Sequence, residues 1–206
     1  LYIILGVIVL AIISYGIYAY LTYIWSTYIR IDLIEGSYDG NEETTLKNKL
    51  ELSDTNKSYN CTFCFWLYLD SIANLESGTS YIFQYEMPNA KFSVIHGEID
   101  DTSQSKLTIS FTNMEKDTEN MYIEEFPLQK WVCIIIIMED LKTDIYIDGT
   151  FTQSKKTKYI PIMTDDGKLH IAKENGFKGT LNKLTYFNYI LSRNEINKFY
   201  KSGPNI

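Results

Sequence analysis

The first twenty-five residues are continuously apolar or aromatic, apart from a few small residues, and no later stretch repeats that pattern. Leu1 to Trp25 reads LYIILGVIVLAIISYGIYAYLTYIW, and the first charge is Arg30. As a helix this run is about 37 Å long, more than the roughly 30 Å hydrocarbon core of a bilayer. A helix also satisfies its backbone groups internally, as a lipid environment demands. Tyr15, Tyr18, Tyr20, Tyr23, Trp25 and Tyr28 crowd its C-terminal half. Amphipathic rings of this kind favour the headgroup level. The pattern predicts a single-pass anchor over residues 1–28, with Leu1 and Leu10 in the apolar part and Tyr20 and Trp25 toward the interface. The alternatives are a signal sequence, which would show a basic start and a small-residue cleavage site, and a core helix, which would show a polar stripe. Neither mark is visible.

From about residue 30 the pattern changes to short runs rich in Ile, Tyr, Phe, Thr and Val, separated by turn residues. Residues 29–59 read as juxtamembrane chain with a first strand and loops; Asn41 to Asn60 is polar. Strands are predicted at Thr62–Asp70, Tyr81–Tyr85, Lys91–Ile95, Lys106–Phe111, Met121–Ile123, Trp131–Met138, Asp144–Ile147, Leu169–Ala172 and Thr180–Tyr189. Many short strands without intervening helices indicate an all-β sandwich or barrel. Trp131–Met138, WVCIIIIM, is apolar on both faces and is expected to be a central, covered strand. Asp148-Gly149 between β-formers predicts a tight hairpin, because a type I′ turn needs positive φ at both central residues. Near the end, Ser192 and Glu195 form an S-x-x-E capping box. Ile196, Phe199 and Tyr200 follow on one helical face, and Gly203-Pro204 is a stop. One short helix over 193–201 is expected to pack on the β domain of residues 60–206.

Composition narrows the partners. A formal charge of -7 excludes a nucleic-acid backbone, which needs a basic face. The Ile-, Asn- and Tyr-rich, Lys-over-Arg composition is what AT-rich codons produce. Three cysteines, Cys61, Cys64 and Cys133, are too few for a disulfide scaffold. Cys61 and Cys64 are three apart in a predicted strand, so they point to opposite faces and do not make a shared metal site. Buried, unpaired thiols are expected, with one bridge from Cys133 to Cys61 or Cys64 as the alternative.

In order along the chain, FCFWLYL at 63–69, Gln129-Lys130-Trp131-Val132, Asp144 to Gly149, Leu169-His170-Ile171-Ala172, Gly176 to Leu181, and Tyr186 to Ser192 with Glu195-Ile196 and Phe199-Tyr200 resemble the laminin G-like branch of the concanavalin A-like lectin/glucanase superfamily. The resemblance covers roughly residues 60–203. It implies an antiparallel two-sheet jelly-roll sandwich and little about activity, because the fold hosts lectins, adhesion modules, hydrolases and structural domains. Trp66 and Trp131 are expected in the core rather than as sugar platforms.

Hydrolases of this superfamily carry alternating acids on one strand, and a retaining mechanism needs two carboxyls about 5–5.5 Å apart. In His96-Gly97-Glu98-Ile99-Asp100-Asp101, Glu98 and Asp100 fit the first two places, but Thr102 and Ser103 stand where the general acid belongs. The stretch is read as a solvated turn, and no catalytic residue is assigned. No G-x-S-x-G, P-loop or H-E-x-x-H is present. Calcium is common among the relatives; its candidate ligands are Asp140, Asp144, Asp148, Asp165 and Asp166. Six or more oxygens must converge, and these acids occupy mostly turn positions, so solvated turns are the expectation and no cofactor is assigned.

The sequence therefore reads as a non-enzymatic, membrane-anchored structural or interaction protein. Its expected partners are the lipid bilayer and neighbouring proteins of an assembly. A minor virion component joining the capsid to the internal membrane of a large DNA virus suits the AT-rich composition and the single anchor. The alternatives are a cell-surface carbohydrate-binding or adhesion module, for which Tyr81, Tyr85, Tyr122 and Tyr159 are the available aromatics, and a β-glucan hydrolase.

Overall fold

The computed structural model describes residues 2–47, 60–71, 80–88, 90–99, 104–112, 117–158, 166–174 and 176–205. The apolar opening is one helix, α1 (Tyr2–Thr27). Its Gly6–Tyr23 window has a mean hydropathy of 1.7, and none of that window is buried against the rest of the chain. Leu10 and Tyr20 are exposed. Leu1 lies outside the described residues, as does the Trp25 side chain.

The remainder forms two antiparallel sheets. One contains β1 (Arg30–Asp32), β2 (Ser37–Asp39), β4 (Cys61–Leu69), β9 (Trp131–Glu139), β10 (Lys142–Ile147), β11 (Thr150–Lys156) and β13 (Gly179–Phe187), in the order β1-β13-β4-β9-β10-β11, with β2 also on β13. The other runs β3 (Thr44–Lys47), β12 (Lys168–Ile171), β5 (Ser80–Glu86), β6 (Lys91–Ile99), β7 (Gln104–Thr112) and β8 (Thr118–Ile123). Every strand predicted from the sequence is present, and the two-sheet sandwich is the one the family resemblance implied.

Two boundaries differ from expectation. The segment 29–59, read as juxtamembrane chain with a first strand, supplies three strands: β1 and β2 pair with β13, and β3 pairs with β12. Edge strands this short leave almost no periodicity to read. The HGEIDD stretch is also less of a turn than expected. β6 continues through Ile99, with Glu98 opposite Ser105 and Ile99 opposite Gln104. Cross-strand pairing to β7 overrides the turn signal of Gly97, while Asp100 and Asp101 lie outside the described residues.

β9 is the central strand its composition predicted. Val132, Ile134, Ile136 and Met138 face the core between the sheets, together with Phe63, Phe65, Phe83, Phe92 and Phe111. Cys133, Ile135 and Ile137 face the other way, into a second cluster with Cys64, Trp66, Phe187, Leu191 and Ile196. That second cluster exists because α2 (Arg193–Lys201) lies over it. The helix starts on the predicted capping box: the Glu195 N–H donates to Ser192 Oγ, and the Ser192 N–H donates to Glu195 Oε2 at 2.8 Å. Trp66 is buried and stacks on Tyr200 of α2 with ring centroids 5.8 Å apart. Trp131 is half-buried against Tyr68 at 5.5 Å.

Cys61 lies in the inner core, whereas Cys64 and Cys133 lie in the outer cluster; all three thiols are free and buried. Alternation along β4 separates the C-x-x-C pair across the sheet. The hairpin at Asp148-Gly149 has φ of 50° and 74°, so both residues take the left-handed conformation that the dipeptide favours. Gly176 has φ 62°, and a Cβ there would strike the Gly40 carbonyl. Glycine is needed for the approach of those two segments.

Candidate binding face

The face of the six-stranded sheet turned away from the core carries one transverse polar row. Thr45 pairs with His170, His170 with Gln84, Gln84 with Ser93, Ser93 with Ser110, and Ser110 with Asn120. The row crosses all six strands. Local sequence produces it: Gln84 sits between core-facing Phe83 and Tyr85, Ser93 between Phe92 and Val94, Ser110 between Ile109 and Phe111, and His170 between Leu169 and Ile171. Period-two alternation puts each polar residue on the opposite side from its two core neighbours.

The row is linked by hydrogen bonds. Gln84 Nε2 donates to Ser93 Oγ at 3.0 Å, and Lys173 Nζ donates to Gln84 Oε1 at 3.1 Å. Thr45 Oγ1 and His170 Nδ1 are 2.9 Å apart. Gln84, Ser93 and Ser110 are buried. Among the described residues, buried Asn120 Oδ1 toward one end of the row makes no hydrogen bond, and buried His170 Nε2 toward the other has only the Glu86 carboxylate near it. His170 Nε2 is 3.3 Å from Glu86 Oε2, near enough for attraction but off the line of a hydrogen bond. Burial, and then the Lys173 ammonium, hold the His170 imidazole below its usual range, so the ring is neutral at neutral pH. The hydrogen bond from Lys91, at an ion-pair distance of 3.0 Å, holds the Glu86 carboxyl low. Buried polar atoms without partners carry a desolvation cost of roughly 1–3 kcal/mol each.

Aromatics flank the row. Tyr122 is exposed, receives a hydrogen bond from Asn120 Nδ2 at 3.3 Å, and has Lys106 Nζ 5.1 Å from its ring centroid. Tyr81 interacts with Gln84, and its hydroxyl is pushed up by burial. Of the tyrosines singled out in the sequence, Tyr81 and Tyr122 thus share this face. Tyr85 is in the core and Tyr159 lies outside the described residues. The row itself escaped the sequence reading, because each strand contributes only one or two of its residues and register alone aligns them.

The calcium candidates are not brought together. Asp140 and Asp148 occupy turns at opposite ends of β10, both with positive φ. Asp144 accepts from Ser154 Oγ at 2.5 Å and pairs with Lys142 at 3.0 Å. Asp148 Oδ1 accepts the Cys133 N–H at 2.9 Å, and its other oxygen is 3.4 Å from Lys130 Nζ. Asp166 lies in a turn before β12, and Asp165 lies outside the described residues. Among the described residues, no group of three or more His, Cys, Asp or Glu is placed to hold a metal ion.

Solved structures share this fold at low identity. The receptor binding domain of botulinum neurotoxin D superposes with a TM-score of 0.62 at 14% identity, over 85% of this chain and 44% of that one. The botulinum neurotoxin serotype G binding domain gives 0.56 at 12%, over 84% and 50%. The receptor binding domain of a botulinum neurotoxin C/D mosaic gives 0.60 at 13%, over 85% and 42%. The chain spans about half the length of these structures. No curated protein matches its sequence. Residues 39–197 match the laminin G-like family model described as concanavalin A-like lectin/glucanases superfamily. That match covers more than half of the sequence and agrees with the two-sheet architecture, so the chain belongs to the concanavalin A-like lectin/glucanases superfamily.

Proposed function

We propose that this protein is a non-enzymatic interaction module held on a membrane by α1, with the sandwich as its binding body. The observation that carries the reading is the Gly6–Tyr23 window: eighteen apolar-rich residues with no part of their surface buried by the chain. Exposing that much apolar surface to water is unfavourable by about 25 cal/mol per Å², and a bilayer removes the penalty. Alkaline extraction of membranes holding the full chain tests it. The protein stays in the membrane fraction, and Ile8→Lys with Ile12→Lys moves it to the supernatant. Extraction of the unsubstituted chain would overturn the anchor.

The setting we favour is a minor component of a virion with an internal membrane, where the sandwich ties a protein shell to the bilayer. The AT-rich composition and the pairing of one apolar helix with a binding-type fold support it. Gentle solubilisation of the native assembly followed by proteomics would name the neighbours; recovery without any shell protein would sink this setting. A second reading, glycan binding, is supported by the polar row with Tyr81 and Tyr122 beside it. A glycan array probed with the full chain in detergent, with and without chelator, separates the readings. Turnover of a β-glucan that disappears in Glu98→Gln would overturn the non-enzymatic assignment.

A further inference from the structure

α1 ends at Thr27, and the sandwich begins almost at once. The Tyr28 ring packs edge-on against Tyr189 with centroids 5.0 Å apart. The Ile29 N–H donates to Asn188 Oδ1 at 2.7 Å, and the Asn188 N–H donates to the Ile29 carbonyl at 3.1 Å. Two residues reach at most about 7 Å. The end of the sandwich that carries Asn188 is therefore held beside the end of α1.

Register shows what else lies at that end. Phe187 of β13 pairs with Thr62 of β4, and Thr62 pairs with Ile137 of β9. β9 then turns through Asp140-Leu141 into Lys142 of β10, which pairs with Lys156 of β11. Asn60 closes the corner by accepting the Asp140 N–H at 2.9 Å. The Asp148-Gly149 turn is at the opposite end of the same sheet. From β1 to the β9–β10 hairpin is three to four strand spacings, roughly 14–19 Å.

The hairpin tip has an unusual surface for a chain of net charge -7. Leu141 is exposed at the turn. Around it, Lys142 is held by Glu139 at 3.2 Å and Asp144 at 3.0 Å, and Lys155 Nζ donates to the Asn120 carbonyl at 2.8 Å, which leaves the exposed Lys156 and Lys158 as the cations beside the turn. An exposed leucine with lysines beside it suits a surface that enters a headgroup layer, with the apolar group below and an ammonium group at the phosphates.

We propose that this end of the sandwich rests on the bilayer, with Leu141 in the headgroup layer and the Lys156 ammonium group at a phospholipid phosphate. The proposal rests on α1 being a membrane span. Two contacts about 14–19 Å apart, the α1 junction and the Leu141 hairpin, fix the orientation of the body. The strands then stand steeply on the membrane, and the polar row of the six-stranded sheet faces sideways toward neighbouring proteins rather than down into lipid.

The test uses the full chain in phosphatidylcholine vesicles containing a nitroxide-headgroup phosphatidylcholine. Leu141→Cys carries an environment-sensitive fluorophore, and Thr150→Cys, exposed at the opposite end, is the reference. Cys61, Cys64 and Cys133 are buried, and burial pushes their thiols up, so they do not label in the folded protein. Flotation of the same vesicles reports α1 insertion independently. The expected result is quenching at position 141 at least about twofold greater than at 150, since only the former would lie in the headgroup layer. Equal quenching at the two sites in protein that floats overturns this inference and leaves the anchor standing. Failure to float overturns both.

Discussion

On the seven-stranded sheet the outward row is Cys64, Trp66, Cys133, Ile135 and Ile137, and α2 covers it. On the six-stranded sheet the outward row is Thr45, His170, Gln84, Ser93, Ser110 and Asn120. Both sheets share one core and the same alternation, yet they spend their outer faces differently. The first behaves as a second, smaller core, in which removing volume leaves a cavity. The second is a buried polar network in which, among the described residues, Asn120 Oδ1 and His170 Nε2 make no hydrogen bond; on the first face the same holds for Trp66 Nε1. On the proposed reading, stability and binding fall on different sides of one sandwich, and substitutions on the two faces are expected to differ in kind.

The largest effect is expected under α2. Trp66→Ala removes a buried ring and its stack on Tyr200, and should cost about 3–5 kcal/mol. Urea denaturation of the full chain in detergent, followed by far-ultraviolet circular dichroism, measures it. A loss below 1 kcal/mol would mean that the outer cluster is not a packed core. Ser192→Ala tests what holds the cover in place. It removes the side-chain acceptor for the Glu195 N–H and the 2.6 Å contact from Ser192 Oγ to Glu195 Oε2, so a destabilisation of about 1 kcal/mol is expected. No change would show that packing of Ile196 alone fixes α2.

These two faces were not equally legible in the sequence. α2 was readable to the residue, because the capping box, the apolar spacing and the glycine stop are all local signals within a dozen positions. β9 was readable because a strand covered on both sides is apolar throughout. β1, β2 and β3 were not, since strands of three or four residues are fixed by pairing to β13 and β12 rather than by their own pattern. The polar row was invisible for the same reason: Gln84, Ser93, Ser110 and Asn120 look like ordinary surface residues until three strand registers line them up. The fold is mostly local information repeated, whereas the candidate face is entirely non-local.

A titration sharpens the contrast from the polar side. The His170 ring is held below its usual range chiefly by burial. A depressed histidine contributes stability above its unfolded value of about 6.5, and that contribution is lost as pH falls toward and through the folded value. Stability should therefore drop as pH falls from neutral through the unfolded histidine value. His170→Gln should flatten that part of the profile while leaving the Trp66 side untouched. An unchanged slope would place the ring in water, outside the buried row.

The smallest expected effect separates the faces most sharply. Asn120 Oδ1 is buried without a partner, and Asn120 Nδ2 makes one long hydrogen bond to the Tyr122 hydroxyl. Asn120→Ala deletes an unsatisfied acceptor, which favours the folded state, and loses a weak hydrogen bond, which opposes it. With each worth on the order of 1 kcal/mol, the two nearly cancel, and the midpoint of urea unfolding should stay within about 0.5 kcal/mol of the unsubstituted protein. The same change removes the amide that orients the exposed Tyr122 hydroxyl, so binding to any glycan or protein found on this face should weaken while stability holds. A destabilisation above about 1.5 kcal/mol would be the signature of a satisfied buried amide. The six-stranded sheet would then turn outward a second closed structural layer, as its partner does beneath α2.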